Sequence, residues 1–411
     1  MTFDLHVDGP RWRAHNESVR DSVAAAVAPA GALVPVMKGN GYGFGNACLA
    51  REALRLGATT IAVGTVEEVP EVAQHSGQAD ILVLAPYELR DRQAAPAWAE
   101  ALDGPCRARL IATISTPDAL IDVARNESGP RRIVLESLTS MRRFGLSDVE
   151  IATGLRDPAV RQAVRDQRVR VEGLALHLPL SQPEARRAPT AEHMLHDAQA
   201  GVATSGSART QEAVTLGHRW LTLAGDVADD LALTSDATEK LLTLWISHLD
   251  EPEQVALRAA IPGVPINARI GSRLWLGDRG ALTARGTVLA VHPVTKGEHV
   301  GYRQRRVPRD GALVVIGGGT AHGVSLEAPS PVVTARQRVI AAGTGALEAV
   351  GRAKSPFVIN GAQRWFAEPP HMQVSLVWLA AADGPAPRVG DQVSAEVRLT
   401  TAHFDHLVGL D

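Results

Sequence analysis

Eight short apolar runs, separated for the most part by helical patterns, constrain this chain more than any other feature. They cover residues 33–37, 60–64, 80–85, 109–114, 132–136, 169–177, 242–247 and 265–270. Helical patterns fall between them at residues 48–56, 66–74, 117–125, 157–165 and 251–260. Apolar runs this short, bounded by helices, read as parallel strands buried on both faces. Eight β/α units in series argue for a (β/α)8 barrel with right-handed crossovers. A further apolar piece at 217–225 is also a strand candidate and leaves the seventh strand ambiguous. Residues 181–207 are polar and Ala-rich and read as a helix-plus-loop insertion. After about residue 282 the pattern changes to strands at 283–294, 311–317, 372–379 and 392–401 between Gly/Pro turns. The expected organisation is therefore α/β: a barrel over residues 8–278 and a mostly β domain over 279–411.

Composition narrows the function classes. At 411 residues two domains are expected. A formal net charge of −3 and the lack of a basic tract point away from nucleic acid. No apolar run reaches membrane-spanning length, and acids stand where a leader needs bases. Cys48 and Cys106 have neither redox nor metal spacing, so the cytoplasm is the expected compartment. His322 and His371, distant in sequence and without Cys or Asp at ligand spacing, do not make a metal signature.

The first apolar run ends in Lys38, followed by Gly39-Asn40-Gly41-Tyr42-Gly43-Phe44-Gly45. A lysine at the carboxyl end of a barrel strand stands where barrel enzymes keep their chemistry. The chain has only four lysines (Lys38, Lys240, Lys296, Lys354) among its 42 basic residues. An amine that must form an imine cannot be replaced by arginine, which keeps its proton. The run from Lys38 to Gly45 resembles the K-A-N-A-Y-G-H-G motif of the alanine racemase family, fold-type III pyridoxal phosphate enzymes. That resemblance implies pyridoxal 5′-phosphate as cofactor, Lys38 as its Schiff-base lysine and base, and Tyr42 near the phosphate. It also implies that the strand at residues 3–7 pairs with the β domain.

Other segments extend the resemblance. Thr139-Ser140-Met141-Arg142-Arg143-Phe144-Gly145 is similar to T-G-M-G-R-L-G, which gives Arg143 contacts to cofactor and substrate carboxylate. Glu136, seven residues earlier, stands where many racemases carry a carbamylated lysine, and an Arg143–Glu136 pair is expected. The strand ending in His177 resembles the one that presents a histidine under the pyridoxal ring. Arg269-Ile270-Gly271-Ser272 is similar to R-P-G-I, with Arg269 facing the pyridine nitrogen and the Gly271 and Ser272 N–H groups on the phosphate. Trp245-Ile246-Ser247-His248 is the candidate preceding phosphate loop, with Ser247 as donor.

The β domain departs from the pattern. Gly319-Thr320-Ala321-His322-Gly323 falls where the family has G-Y-A-D-G, so the usual catalytic tyrosine is missing. Thr320 and His322 are the acid–base candidates in its place; imidazole titrates near neutral pH, whereas a threonine hydroxyl is far too weak an acid. Met372 aligns with the family's substrate-carboxylate methionine, and His371 beside it alters that turn. Ala395 stands where the family has a phosphate-binding tyrosine. The resemblance implies an amino-acid racemase or epimerase, an isomerase serving a D-amino acid, working on a small amino acid as a homodimer with a shared active site. The alternatives are decarboxylation, elimination or aldol cleavage on the same cofactor, or a protein that binds the cofactor without turnover.

Overall fold

The computed structural model describes residues 2–127, 129–180, 207–326 and 353–410. All but the last residue of the 181–207 insertion lies outside the described residues. The chain forms two units. One, residues 16–38 and 46–275, is a closed parallel barrel. The other gathers residues 1–15, 39–45 and 276–411 and is mostly β.

The barrel strands are β2 (Ala32–Met37), β3 (Thr60–Val63), β4 (Asp80–Val83), β5 (Leu110–Ile114), β6 (Arg131–Ser137), β7 (Val169–His177), β8 (Leu244–Ser247) and β9 (Ile266–Ile270). Each pairs in parallel with the next, and β9 closes on β2. Because strand side chains alternate with period two, every second residue points inward. Val34, Val36, Ala62, Leu82, Ile111, Val134, Ala175 and Trp245 make the apolar filling. On the amino-terminal side, Arg132 bridges the carboxylates of Asp80 and Glu172. On the other side the same alternation continues to Lys38, Glu136, His177, Ser247 and Arg269.

Strand β7 keeps this phase only through a bulge. Ile133 faces Val171 and Leu135 faces Leu174, so two residues, Glu172 and Gly173, oppose Val134 alone. Gly173 sits at φ +109°, and a Cβ there would lie 2.0 Å from the Thr243 carbonyl oxygen. The Glu172 carbonyl freed from the ladder accepts the Trp245 indole N–H at 2.6 Å. The bulge therefore satisfies the largest side chain of the barrel filling and sets which residues at the end of β7 face inward.

The proposed strand at 217–225 is a correction. Residues Ala208–Asp230 form one helix. Its buried Ala213, Gly217, Trp220, Ala224 and Val227 recur at steps of four and three, a helical stripe. The ambiguity over the seventh barrel strand is thereby removed: β8 is Leu244–Ser247.

In the other unit the sheet order is β13-β16-β15-β14-β17-β10-β1-β18, with β13 also pairing β10. These are β1 (Phe3–Val7), β10 (Leu282–Val294), β13 (Gly311–Gly317), β14 (Lys354–Ile359), β15 (Ala362–Phe366), β16 (Val374–Ala380), β17 (Gln392–Ala395) and β18 (His406–Val408). A two-stranded ribbon, β11 (His299–Val300) and β12 (Arg305–Arg306), stands apart. Strand β1 pairs antiparallel with β10 and parallel with β18. The hairpin β14–β15, not anticipated from sequence, turns at Asn360-Gly361, both at positive φ, as a tight hairpin requires.

Replacing Gly173 with Ala forces a side chain onto the Thr243 carbonyl. The expected outcome is a loss of about 3 kcal/mol of barrel stability, read by denaturant unfolding.

Candidate active site

At the carboxyl ends of the strands the barrel's inward layer changes from apolar to ionisable. Lys38 follows the buried Val34 and Val36 in phase and leaves β2 at its end. Directly after its neighbour strand β3 comes Gly64, where a Cβ would come within 2.8 Å of Lys38 Cβ. Glycine there makes room for the lysine stem. The Gly64 N–H donates to the Glu68 carboxylate at 2.6 Å, which holds that carboxylate beside the lysine. Lys38 keeps solvent access, yet its ammonium is lowered below the usual lysine range. Loss of water is the main cause; Arg143 and Arg269 push the same way and Glu68 opposes them.

Glu136 is 2% exposed on β6. The loop after it doubles back, with the Leu146 N–H on the Glu136 carbonyl and the Leu138 N–H on the Leu146 carbonyl, each 2.8 Å. Gly145 permits the return at φ +125°, since a Cβ would lie 2.5 Å from the Ser137 backbone. The return brings Arg143 Nη2 to 4.0 Å from Glu136 Oε1. Burial raises the Glu136 pKa, and Arg269 and Arg143 pull it back down. Glu136 Oε2 is buried with no hydrogen-bond partner among the described residues, and so is Arg269 Nε. Arg269, on β9, gives one hydrogen bond to the Leu176 carbonyl at 3.0 Å. Burial lowers its pKa to about 10, which still leaves it charged at neutral pH.

His177 Nδ1 lies 3.0 Å from Ser247 Oγ, and Thr139 Oγ1 donates to the His177 carbonyl at 2.7 Å. Burial, followed by the charges of Arg269 and Arg143, lowers its pKa to about 3. The ring is therefore neutral throughout the physiological range. Against it, edge-on at 85° and 4.9 Å between centroids, stands His248. Sequence reading quoted His248 without giving it a part; its left-handed backbone, φ +67°, breaks the strand alternation and returns the ring to His177. Glu68 and Gly64 were also missed, although a glycine in phase with Lys38 was a usable signal. Gly271 precedes the short helix Ser272–Leu276, directly after β9.

The structure thus brings Lys38, Glu136, Arg143, His177, Ser247 and Arg269 into one group within the barrel. Tyr42, at φ +55° in the buried glycine turn, belongs to the β unit. So do the remaining candidates. The Thr320 N–H donates to the His371 carbonyl and the Ala321 N–H to the Met372 carbonyl, which sets the two turns side by side. His322 Nδ1 accepts the Gly319 N–H at 3.2 Å, and its Nε2 is 3.4 Å from Asp405. Its ring also meets Phe3 edge-on. His371 Nε2 is 2.8 Å from Oε1 of the buried Glu368, whose Oε2 accepts the Tyr302 N–H. Met372 is exposed. Among the described residues no group of three or more His, Cys, Asp or Glu side chains is placed to hold a metal ion.

A depressed histidine makes the barrel acid-sensitive. Between its unfolded pKa of about 6.5 and its folded pKa of about 3, His177 binds fewer protons folded than unfolded, so stability falls as pH falls. In His177→Gln that component is absent. The drop in unfolding free energy from about pH 6.5 to 4.5 should shrink by about 2 kcal/mol, measured by denaturant titration at each pH.

Comparison with known proteins agrees with this geometry. The family model for the alanine racemase N-terminal domain matches residues 17–200. An alanine racemase of Mycolicibacterium vanbaalenii is 28% identical over 314 residues, 76% of this chain and 70% of the relative. That of Symbiobacterium thermophilum is 31% identical over 185 residues, 43% of this chain and 44% of the relative. Among solved structures, alanine racemase from Bartonella henselae with covalently bound pyridoxal phosphate superposes with a TM-score of 0.59 at 15% identity, covering 99% of this chain and 100% of that one. The enzyme from E. faecalis gives 0.58 at 20% identity, covering 96% and 88%. This chain is thus similar in sequence to alanine racemases, most of all over residues 17–200, and it shares their fold.

Proposed function

We propose that the chain is a pyridoxal phosphate-dependent amino-acid racemase of alanine racemase type, acting on a small amino acid. The observation that carries this reading is a lysine of lowered pKa at the barrel mouth, close to the two arginines that flank a buried carboxylate. The residues fit the cofactor. Arg269 Nε is a buried donor without a partner among the described residues, matched to an aromatic ring nitrogen that accepts. Lys38, Arg143 and Arg269 supply positive charge for an anionic ligand.

Pyridoxal phosphate, when bound, supplies an aldehyde for an amine to attack and a conjugated ring that weakens the substrate's Cα–H bond. Everything else falls to the chain. Lys38, its pKa lowered, presents a larger share of neutral amine and holds or returns a proton at Nζ. Arg269 cannot release its proton to a ring nitrogen, which limits electron withdrawal and favours simple proton exchange over deeper chemistry. Arg143 would receive the substrate carboxylate, and Glu136 keeps the two arginines from repelling each other. Neutral His177 offers a flat uncharged face, while Ser247, Gly271, Ser272 and Tyr42 would hold the phosphate. Met372 and His371 are assigned to the substrate, and His322, two residues after Thr320, to proton transfer on the second face.

The likeness to alanine racemases supports a homodimer with an active site shared between subunits, and the cysteine usage supports the cytoplasm. Among the described residues no helix is long and apolar enough to cross a membrane. Sedimentation of the purified protein is expected to give a dimer.

A second reading has one observation in its favour. Both ring nitrogens of His322 are engaged, by the Gly319 N–H and by Asp405. A histidine so committed is a poor proton shuttle, and that favours one-faced chemistry such as decarboxylation, elimination or aldol cleavage.

Incubation with L- and D-alanine in deuterated water separates the two. A racemase incorporates deuterium at Cα with inversion from either enantiomer, and Lys38→Ala lowers exchange by about a thousandfold. Exchange with strict retention would support the one-faced reading.

A further inference from the structure

His248 is the barrel-mouth group that the proposed chemistry leaves unused. It directly follows β8 and adopts φ +67°, a region that side chains larger than glycine seldom occupy. The backbone is held there from behind: Leu249 is buried, its carbonyl accepts the Gln254 amide, and Asp250 caps the next helix. A strained residue kept by its surroundings is a reason to look for function. The strain turns the imidazole against His177 and leaves it exposed to solvent.

The groups facing His248 are nearly all cationic or neutral. They are Arg269, Lys38, Arg209, Arg143 and the neutral His177. Arg209 is already matched by Glu253, and Glu136 lies buried between its own two arginines. Partial loss of water around the ring at the barrel mouth, then these charges, lowers the His248 pKa to about 4, so the free protein keeps the ring neutral. An anion entering this cluster reverses the balance. Its charge opposes that of the cations and stabilises an imidazolium.

We propose that His248 is an anion-binding residue that takes up one proton when a phosphate group docks at the barrel mouth. The proton comes from solvent onto the free ring nitrogen lone pair; no other bond forms or breaks. The resulting imidazolium makes a charge-assisted hydrogen bond to a phosphate oxygen. In the cofactor's case this rests on the reading above.

The test uses the cofactor-free protein labelled with nitrogen-15 histidine near pH 7, the His248 signal being assigned by its loss in His248→Asn. Asparagine is chosen because it tolerates positive φ, and circular dichroism checks that the variant folds. Pyridoxal 5′-phosphate and inorganic phosphate are each expected to move the His248 ring signals to imidazolium positions, and pyridoxal is not. His248→Asn is expected to weaken pyridoxal 5′-phosphate about tenfold and pyridoxal less than about twofold. Pyridoxal 5′-phosphate captured through Lys38 with His248 unmoved, or bound equally well by the variant, overturns the inference and leaves the cofactor reading standing. No capture through Lys38, with inorganic phosphate still protonating His248, overturns the cofactor reading and supports the anion site.

Discussion

A single carboxylate between two guanidinium groups organises the barrel mouth. Glu136 is buried, and burial pushes its pKa above the usual carboxylate range. Arg143 and Arg269 oppose that shift, and the carboxylate in turn offsets the repulsion between the two arginines. The cluster still carries more positive than negative charge and leaves one oxygen and one N–H unmatched. Unmatched buried polar atoms are costly. A fold that keeps them is arranged for something that arrives later, and an aromatic, anionic, aldehyde-bearing cofactor answers each demand.

The cluster's position follows from strand geometry. Period-two alternation stacks an ionic layer, an apolar layer and a second ionisable layer inside one cylinder. The lower ionic layer is saturated: Arg132 is bracketed by Asp80 and Glu172, and Arg170 shares Glu172. The upper one is not. Similar residue types therefore do different work at the two ends, stability below and chemistry above. The bulge at Glu172–Gly173 matters because without its extra residue the end of β7 would present the other set of side chains inward.

Much of this was legible in the sequence. The alternation of apolar runs and helical segments indicated the barrel, and the glycine pattern around Lys38 marked its mouth. Glu136 and Arg143, seven residues apart, were read as partners and stand 4.0 Å apart. What could not be read depends on distant contacts or on a longer window. Residues 217–225 looked like a strand because Trp220, Leu221 and Leu223 crowd a short window, while the helical stripe shows only from Ala213 to Val227. His322 was an acid–base candidate, but Asp405 and Phe3, which engage it, come from the far ends of the chain. His248 was hidden by a backbone conformation that strand periodicity does not anticipate.

The account stands or falls on which amine meets the aldehyde. The direct measurement is to incubate the purified protein with pyridoxal 5′-phosphate, reduce it with borohydride and map the modified peptide by mass spectrometry. The added mass should sit on Lys38 and be lost in Lys38→Arg, with Lys240, Lys296 and Lys354 unmodified. Stoichiometric modification of any of those three, or of none, would contradict it.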